Sequence, residues 1–259
     1  MGYELYVSLI SVGLFVGMLL LMEAGRRMGA RRLGQDPDGA RAGVGVVESA
    51  VFALLGLLIA FTFSGAASRF DARRQLIIEE ANDIGTAYLR LDLVGLDAQA
   101  ALREKFRLYV DARLAFYRTL SDIGAAKQEY AKVSSLQNEI WRLAVVASRS
   151  EGASPAAAVL LLPALNAMID ITTTRTLAMQ IHPPAIIFAM LIGLALASAL
   201  LVGYGMAGAE KRNWLHIIGF ALVMAASIFV TLDIEYPRFG SIRIDAFDQA
   251  LVDLRDSMK

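Results

Sequence analysis

The 259-residue chain contains no cysteine. That excludes disulfides, thiolate metal sites and thiol nucleophiles, and leaves the redox compartment open. Histidine occurs only twice, as His182 and His216. The two lie beside different apolar runs, and neither has a partner at HxxxH or HExxH spacing. Net charge is missing as well: 25 lysines and arginines balance 25 aspartates and glutamates, so no field of one sign points to nucleic acid. Walker, GxGxxG and GxSxG loops are absent. Alternating β-branched runs bounded by hairpin turns are almost absent too. These gaps argue against an enzyme, a nucleic-acid binder and a β fold.

What the chain has is apolar length. Hydrophobic residues make up 56%, and four runs suit a bilayer crossing: Leu5–Met22, Val47–Ala66, Ala185–Ala207 and Trp214–Leu232. The expectation is an all-α polytopic membrane protein with four transmembrane helices and a helical extramembrane domain between spans two and three. Its parts are 1–66 (spans one and two with a basic connection), 67–182 (the helical domain), 183–232 (spans three and four) and 233–259 (a tail). The first run reads as a retained span rather than a signal peptide. Glu4 is the only charge before it, and the stretch from Met22 to Arg27 is a poor cleavage context. The partner is the lipid bilayer, and the location that of a multi-pass protein of the inner (plasma) membrane. Arg26, Arg27, Arg31, Arg32 and Arg41 share one side with Lys211 and Arg212, which positive-inside assigns to the cytoplasm. Arg69, Arg73 and Arg74 pull the other way.

Local signals subdivide the chain. Gly13 and Gly17 stand in GxxxG spacing, suited to close helix approach. Residues 23–46 read as a loop, with a turn over Asp36–Gly39. From Glu48 to Leu91 no proline or turn cluster intervenes, so one helix of about 66 Å is expected, twice the ~30 Å of a bilayer core. Its wet half carries an apolar stripe of Phe70, Ile77, Ala81, Ile84, Tyr88 and Leu91. Breaks follow at Asp92–Asp97, with Asp97 as a helix cap, at Ser121–Gly124 and at Ser150–Pro155. Pro163 predicts a kink or restart, and His182, Pro183 and Pro184 a full stop. The tail opens irregularly at Tyr236–Gly240 and ends in a short helix bearing Phe247, Leu251 and Leu254.

Two sets of side chains are candidates for function. Glu79, Glu80 and Asp83 fall at i, i+1 and i+4, a spacing that gathers oxygen ligands for calcium or another hard cation. The same residues equally suit a solvated face paired with Arg73, Arg74 or Arg90. Asn166 and Asp170 are similarly divided between interhelical hydrogen bonding and ligation. In span two, Leu55, Ile59 and Phe63 line one face, Phe52, Gly56, Ala60 and Ser64 another, and Leu57, Phe61 and Gly65 a third. If several copies surround an axis, one face lines it, and apolar rings there form a dewetting constriction. Otherwise all three contact lipid or neighbouring spans.

The run from Phe61 to Leu91, above all EEANDIGTAYLRLDL, resembles the bestrophin-like family, as do LLPALNAMID and DIEYPRFGSIRID. The resemblance extends from about Glu48 to Asp245. Through it the chain is distantly similar to bestrophins, and that implies a pentameric homo-oligomeric channel for small ions, expected to be anions, with a neck on span two at Leu55, Ile59 and Phe63. The bestrophin calcium clasp follows span four. Here that place holds Asp233 and Glu235 without a dense acidic run, so no cofactor is expected beyond a candidate cation there or at Glu79, Glu80 and Asp83. Bestrophins keep the helical domain in the cytosol, opposite to the arginine count. The alternative reading is a membrane-anchored interaction protein without transport activity.

Overall fold

A computed structural model describes residues 3–36, 43–209 and 211–258. The predicted turn at Asp36–Gly39 and the arginine at 41 fall largely or wholly outside them. Among the described residues every regular element is helical: α1 Tyr3–Gln35, α2 Val44–Leu89, α3 Leu96–Arg118, α4 Ile123–Ala147, α5 Ala157–Gln180, α6 Ala185–Gly205, α7 Trp214–Glu235 and α8 Gln249–Ser257. Among the described residues four helical stretches are long and apolar enough to cross a membrane: α1, α2, the α5–α6 stretch and α7. The chain divides into two compact units, one of residues 1–70 and 182–242, the other of 71–181 and 243–259.

In unit 1, α1 buries Val7, Ser11, Leu14, Met18, Met22, Gly25 and Gly29, an unbroken i, i+4, i+7 stripe. It packs on Leu191, Ala195, Ser198, Ala199 and Gly203 of α6 and meets a stripe of Ala221, Ala225 and Ile228 on α7. Lipid tails are as apolar as leucine, so span association depends on close packing, and small residues permit it. The close approach is not at Gly13, where an added β-carbon would meet nothing, but at Gly25, Gly29 and Gly203. A β-carbon on Gly25 would meet the Leu200 carbonyl, and one on Gly203 the Met22 carbonyl. The expected loop over 23–46 is therefore corrected: α1 runs on to Gln35, carrying Arg26, Arg27, Arg31 and Arg32 on helix. Its packing against α6 continues through Gly25 and Gly29, and that contact holds the extra turns in place.

In unit 2, the core is built by the hydrophobic effect. Ile77, Ile84, Leu91, Leu102, Phe106, Val110, Ile140, Leu161 and Leu165 are all fully buried, each burial worth roughly 1.5–3 kcal/mol. A single 3-10 turn, Arg90–Leu93, ends α2, and Gly95 rather than Asp97 precedes α3. Asp97 sits inside the first turn, where a carboxylate favours the helix dipole without capping it. Asp122 does cap α4, accepting from Gly124 N and Ala125 N at 2.8 and 3.1 Å. Helix α5 continues through Pro163 without restarting. Proline offers no N–H to the preceding turn, and nearby the Arg90 guanidinium takes the Leu160 carbonyl at 2.6 Å. The short helix expected in the tail is α8: Leu251 enters the core, and Arg255 pairs with Asp111 at 2.8 Å.

Candidate functional site

Glu80 lies between Ile77 and Ile84 on the apolar stripe of α2, so the helix turns its carboxylate into the core of unit 2. It is fully buried. Arg113 of α3 donates through Nε to Oε1 at 2.5 Å and through Nη2 to Oε2 at 3.1 Å. Arg175 of α5 donates to Oε2, and the Tyr117 hydroxyl adds a bond to the same oxygen at 3.3 Å. Arg113 also donates to the Tyr117 oxygen, and the Arg175 guanidinium lies 4.0 Å from the centre of the Tyr117 ring. Asp248, just before α8, stands 3.8 Å from Arg175. Two arginines thus face two carboxylates in a place largely shut off from water.

Burial by itself pushes the Glu80 carboxyl up, but Arg113 and then Arg175 overcome it and hold the group below the usual carboxylate range. Burial likewise opposes charge on Arg113, and Glu80 more than reverses this. Tyr109, buried beside them and accepting from Gln137 at 3.3 Å, is raised chiefly by desolvation and stays a neutral phenol.

The three carboxylates named as a candidate cation site face different ways. Glu79 is exposed, Asp83 is half-buried, and Glu80 points inward to two guanidinium groups, so the three carboxylates do not converge. Burial, followed by the charges of Glu79 and Glu80, pushes Asp83 up. Among the described residues no group of three or more His, Cys, Asp or Glu side chains is arranged to hold a metal. Asn166 and Asp170 lie on the exposed face of α5.

Asp233 and Glu235, at the end of α7, organise the turn that follows in unit 1. Both are fully buried. Glu235 receives a bidentate Arg69, with Nη2 at 2.6 Å and Nε at 3.0 Å, and the Nδ1 of His182 at 2.9 Å. The His182 ring stacks on Tyr236 at 4.1 Å, and Tyr3 packs on the Tyr236 ring at 4.6 Å. Asp233 accepts from the backbone N–H groups of Ser241 and Ile242 at 2.8 and 2.7 Å. A β-carbon on Gly240 would come within 2.5 Å of its Oδ1, so this turn requires glycine. The carboxylates expected to serve a cation are therefore engaged by arginine, histidine and backbone donors. Asp233→Ala takes the shared acceptor from the Ser241 and Ile242 N–H groups, at about 1 kcal/mol each. Limited proteolysis is expected to cut that variant between residues 236 and 242 several times faster than the parent.

The third feature is the membrane half of α2. Only 6% of its most apolar stretch is buried, against 22–33% in the other three candidate spans. Leu55 and Ala66 are its buried positions, and Phe52 makes an edge contact with Phe220 at 5.8 Å. Its exposed positions form an uncovered arc centred on Ala53, Leu57, Ala60 and Ser64 and flanked by Leu54, Phe61 and Phe63. Of the expected neck residues, Leu55 is 1% exposed and belongs to its own unit's core. Ile59 is half-buried at the edge of that core, and Phe63 is 43% exposed. Leu55 thus has a packing role, because its side chain is already enclosed.

Sequence reasoning overlooks Arg113, Tyr117, Arg175 and Asp248 as a set. A usable signal is there for Arg113 and for its partner Glu80. Arg113 falls four residues from Tyr109 and Tyr117 within an apolar stripe, and Glu80 shares its stripe with Ile77 and Ile84. An ionic group at such a position must find a buried partner.

Comparison with known proteins bears on these features. A bestrophin-like domain model matches residues 9–246. Two crystal structures of single-mutation variants of a bacterial bestrophin homologue from Klebsiella pneumoniae share the fold. One has a TM-score of 0.69 at 11% identity and covers 95% of this chain and 98% of that one. The other has a TM-score of 0.65 at 12% identity, with 93% and 98% covered. A search of curated proteins finds no match. At such identities the likeness is one of fold.

Proposed function

The chain belongs to the bestrophin-like family, and from that premise we propose that it is a homo-oligomeric ion channel of the inner (plasma) membrane. Its resemblance to bestrophins favours five copies and conduction of small anions. The axis is lined by α2, and the constriction forms at Phe63 with Ile59 beside it. The observation that carries this reading is the uncovered arc of α2. An apolar helix left bare by its own chain requires lipid or other copies as neighbours. No ionisable side chain lies between Glu48 and Arg69, so a pore there is gated by apolar girth and dewetting. The hydroxyl of Thr62 is turned back to the Leu58 and Ile59 carbonyls at 2.8 and 3.0 Å, which keeps that turn apolar.

Planar bilayers containing the pure protein test the proposal. The parent is expected to conduct, and Phe63→Ala, by widening and wetting the constriction, to raise single-channel conductance or open time about fivefold or more. Silence from the parent, Ile59→Ala and Phe63→Ala alike would refute it. One observation favours the second reading, an interaction protein: a shallow groove of about 530 Å³ between α3 and α4, floored by Leu108, Ala112 and Leu136 and rimmed by Asp111, Glu129 and Lys132. That reading expects a partner crosslinked to the helices of residues 98–150 and no conductance.

A further inference from the structure

A cavity of about 400 Å³ in unit 1 has no part in the features above. It is lined by Gly29 and Leu33 of α1, Glu48 of α2, and Tyr204, Gly205 and Ala209 at and beyond the end of α6. One water occupies about 30 Å³ of liquid volume, so there is room for a small organic group. Its polar centre is Glu48. The Oε1 atom is buried, yet no donor among the described residues reaches it. The carboxylate rests against Gly205, where a β-carbon would stand 2.5 Å from Oε1. Glycine at 205 is therefore what leaves the carboxylate its place.

A buried, unpaired acceptor is destabilising, and more so when it carries charge. The surroundings indicate what satisfies it. Helix α6 ends at Gly205, where the Val202 and Tyr204 carbonyls accept from Met206 N; each keeps a second lone pair, and the helix end carries partial negative charge. A carboxylate beside a helix C-terminus repels anions and favours a cation. A hard divalent ion needs six or more oxygen ligands, far more than one carboxylate and a helix end provide. A primary ammonium group needs fewer: it has three N–H donors, and an aromatic wall such as Tyr204 adds cation–π attraction. The apolar remainder, Leu33 and Ala209, suits the carbon chain of an amine.

We propose that this cavity binds a primary ammonium group, its N–H donors shared between the Glu48 carboxylate and the terminal carbonyls of α6. The group comes from a lipid ethanolamine headgroup or from a soluble amine, and one experiment separates the two. The full chain is placed in nanodiscs of phosphatidylcholine, with or without soluble ethanolamine, and in nanodiscs of equal parts phosphatidylcholine and phosphatidylethanolamine. Melting is then followed by intrinsic fluorescence. One of the two probes is expected to raise the melting temperature of the parent by about 5 °C near saturation. A rise only with the ethanolamine lipid assigns the site to the headgroup, and a rise with free ethanolamine assigns it to a soluble amine. Glu48→Gln, nearly isosteric, should abolish the rise. Gly205→Ala, which fills the space against the carboxylate, should weaken the response at least tenfold in probe concentration. Failure of both probes to shift the parent, or a shift that persists in Glu48→Gln, overturns the proposal. The readout is independent of conduction, so it stands or falls apart from the channel reading.

Discussion

Glu80→Gln is expected to lower the melting temperature of the protein in detergent by about 10 °C or more. Glutamine keeps the shape and the hydrogen-bond acceptor but removes the charge that Arg113 and Arg175 both face. Breaking a buried ion pair from one side typically costs about 3–5 kcal/mol, because the remaining charge has no water to turn to. Arg113 is the sharper case: it is fully buried, and its Nη1 has no hydrogen-bond partner among the described residues. The pH dependence follows with a definite sign. Because the folded carboxyl is held below its usual range, its stabilisation is fully present above the unfolded value near 4.5 and is lost as pH falls through the lower folded value. The parent should therefore lose stability below about pH 4.5, and Glu80→Gln should show a flatter acid limb. Replacing Glu80 and Arg113 together with methionine should be less damaging than the two single losses summed, the sign of direct coupling. Equal melting of Glu80→Gln and the parent at neutral pH would show that the cluster does not hold unit 2 together.

Gly203→Ala, a change of one methyl group, is expected to have the second large effect. The added carbon would be driven into the Met22 carbonyl and its neighbouring backbone atoms on α1. A flexible side chain can swing aside, but helix backbone cannot, so α1 and α6 must separate along the very contact that glycine permits. Overpacking of this kind costs about 1–3 kcal/mol where side chains absorb it, and more is expected where none can. The variant should elute as aggregate or melt about 5 °C or more below the parent. Gly13→Ala supplies the control. Nothing lies within 4 Å of that position, and alanine favours helix over glycine by about 1 kcal/mol, so it should melt at or slightly above the parent. If the two alanine variants behave alike, the α1–α6 crossing is not set by glycine.

The contrast between those glycines also shows where sequence reading succeeds and where it stops. The four spans are legible because a bilayer demands some twenty apolar residues in succession, a signal that no tertiary detail can hide. The continuity of α2 is equally legible, since nothing between Glu48 and Leu91 breaks a helix. Which glycine pair makes the crossing is not: Gly13 with Gly17 and Gly25 with Gly29 have the same spacing, and only the partner helix distinguishes them. The acidic stretch is deceptive for a similar reason. Spacing groups Glu79, Glu80 and Asp83, yet one step of about 100° around the helix separates a solvated carboxylate from one sealed in the core. Leu55 is the counterpart in the span, lying in register with Ile59 and Phe63 but rotated far enough inward to be enclosed. The pairing of Glu80 with Arg113, Arg175 and Asp248 joins residues up to 168 positions apart, and no local pattern encodes such a distance.

That long closure bears on how the chain is made. Unit 2 draws its last helix and Asp248 from beyond α7, so its ionic core cannot be completed until α6 and α7 have been synthesised. At ~5–20 residues per second, Arg175 waits several seconds for its second carboxylate. During that interval the helices of residues 71–181 exist without α8, and Leu251 is not yet in place to cover their apolar surface. Synthesis of α6 and α7 therefore precedes completion of unit 2, and any delay there prolongs the time that unit remains unfinished.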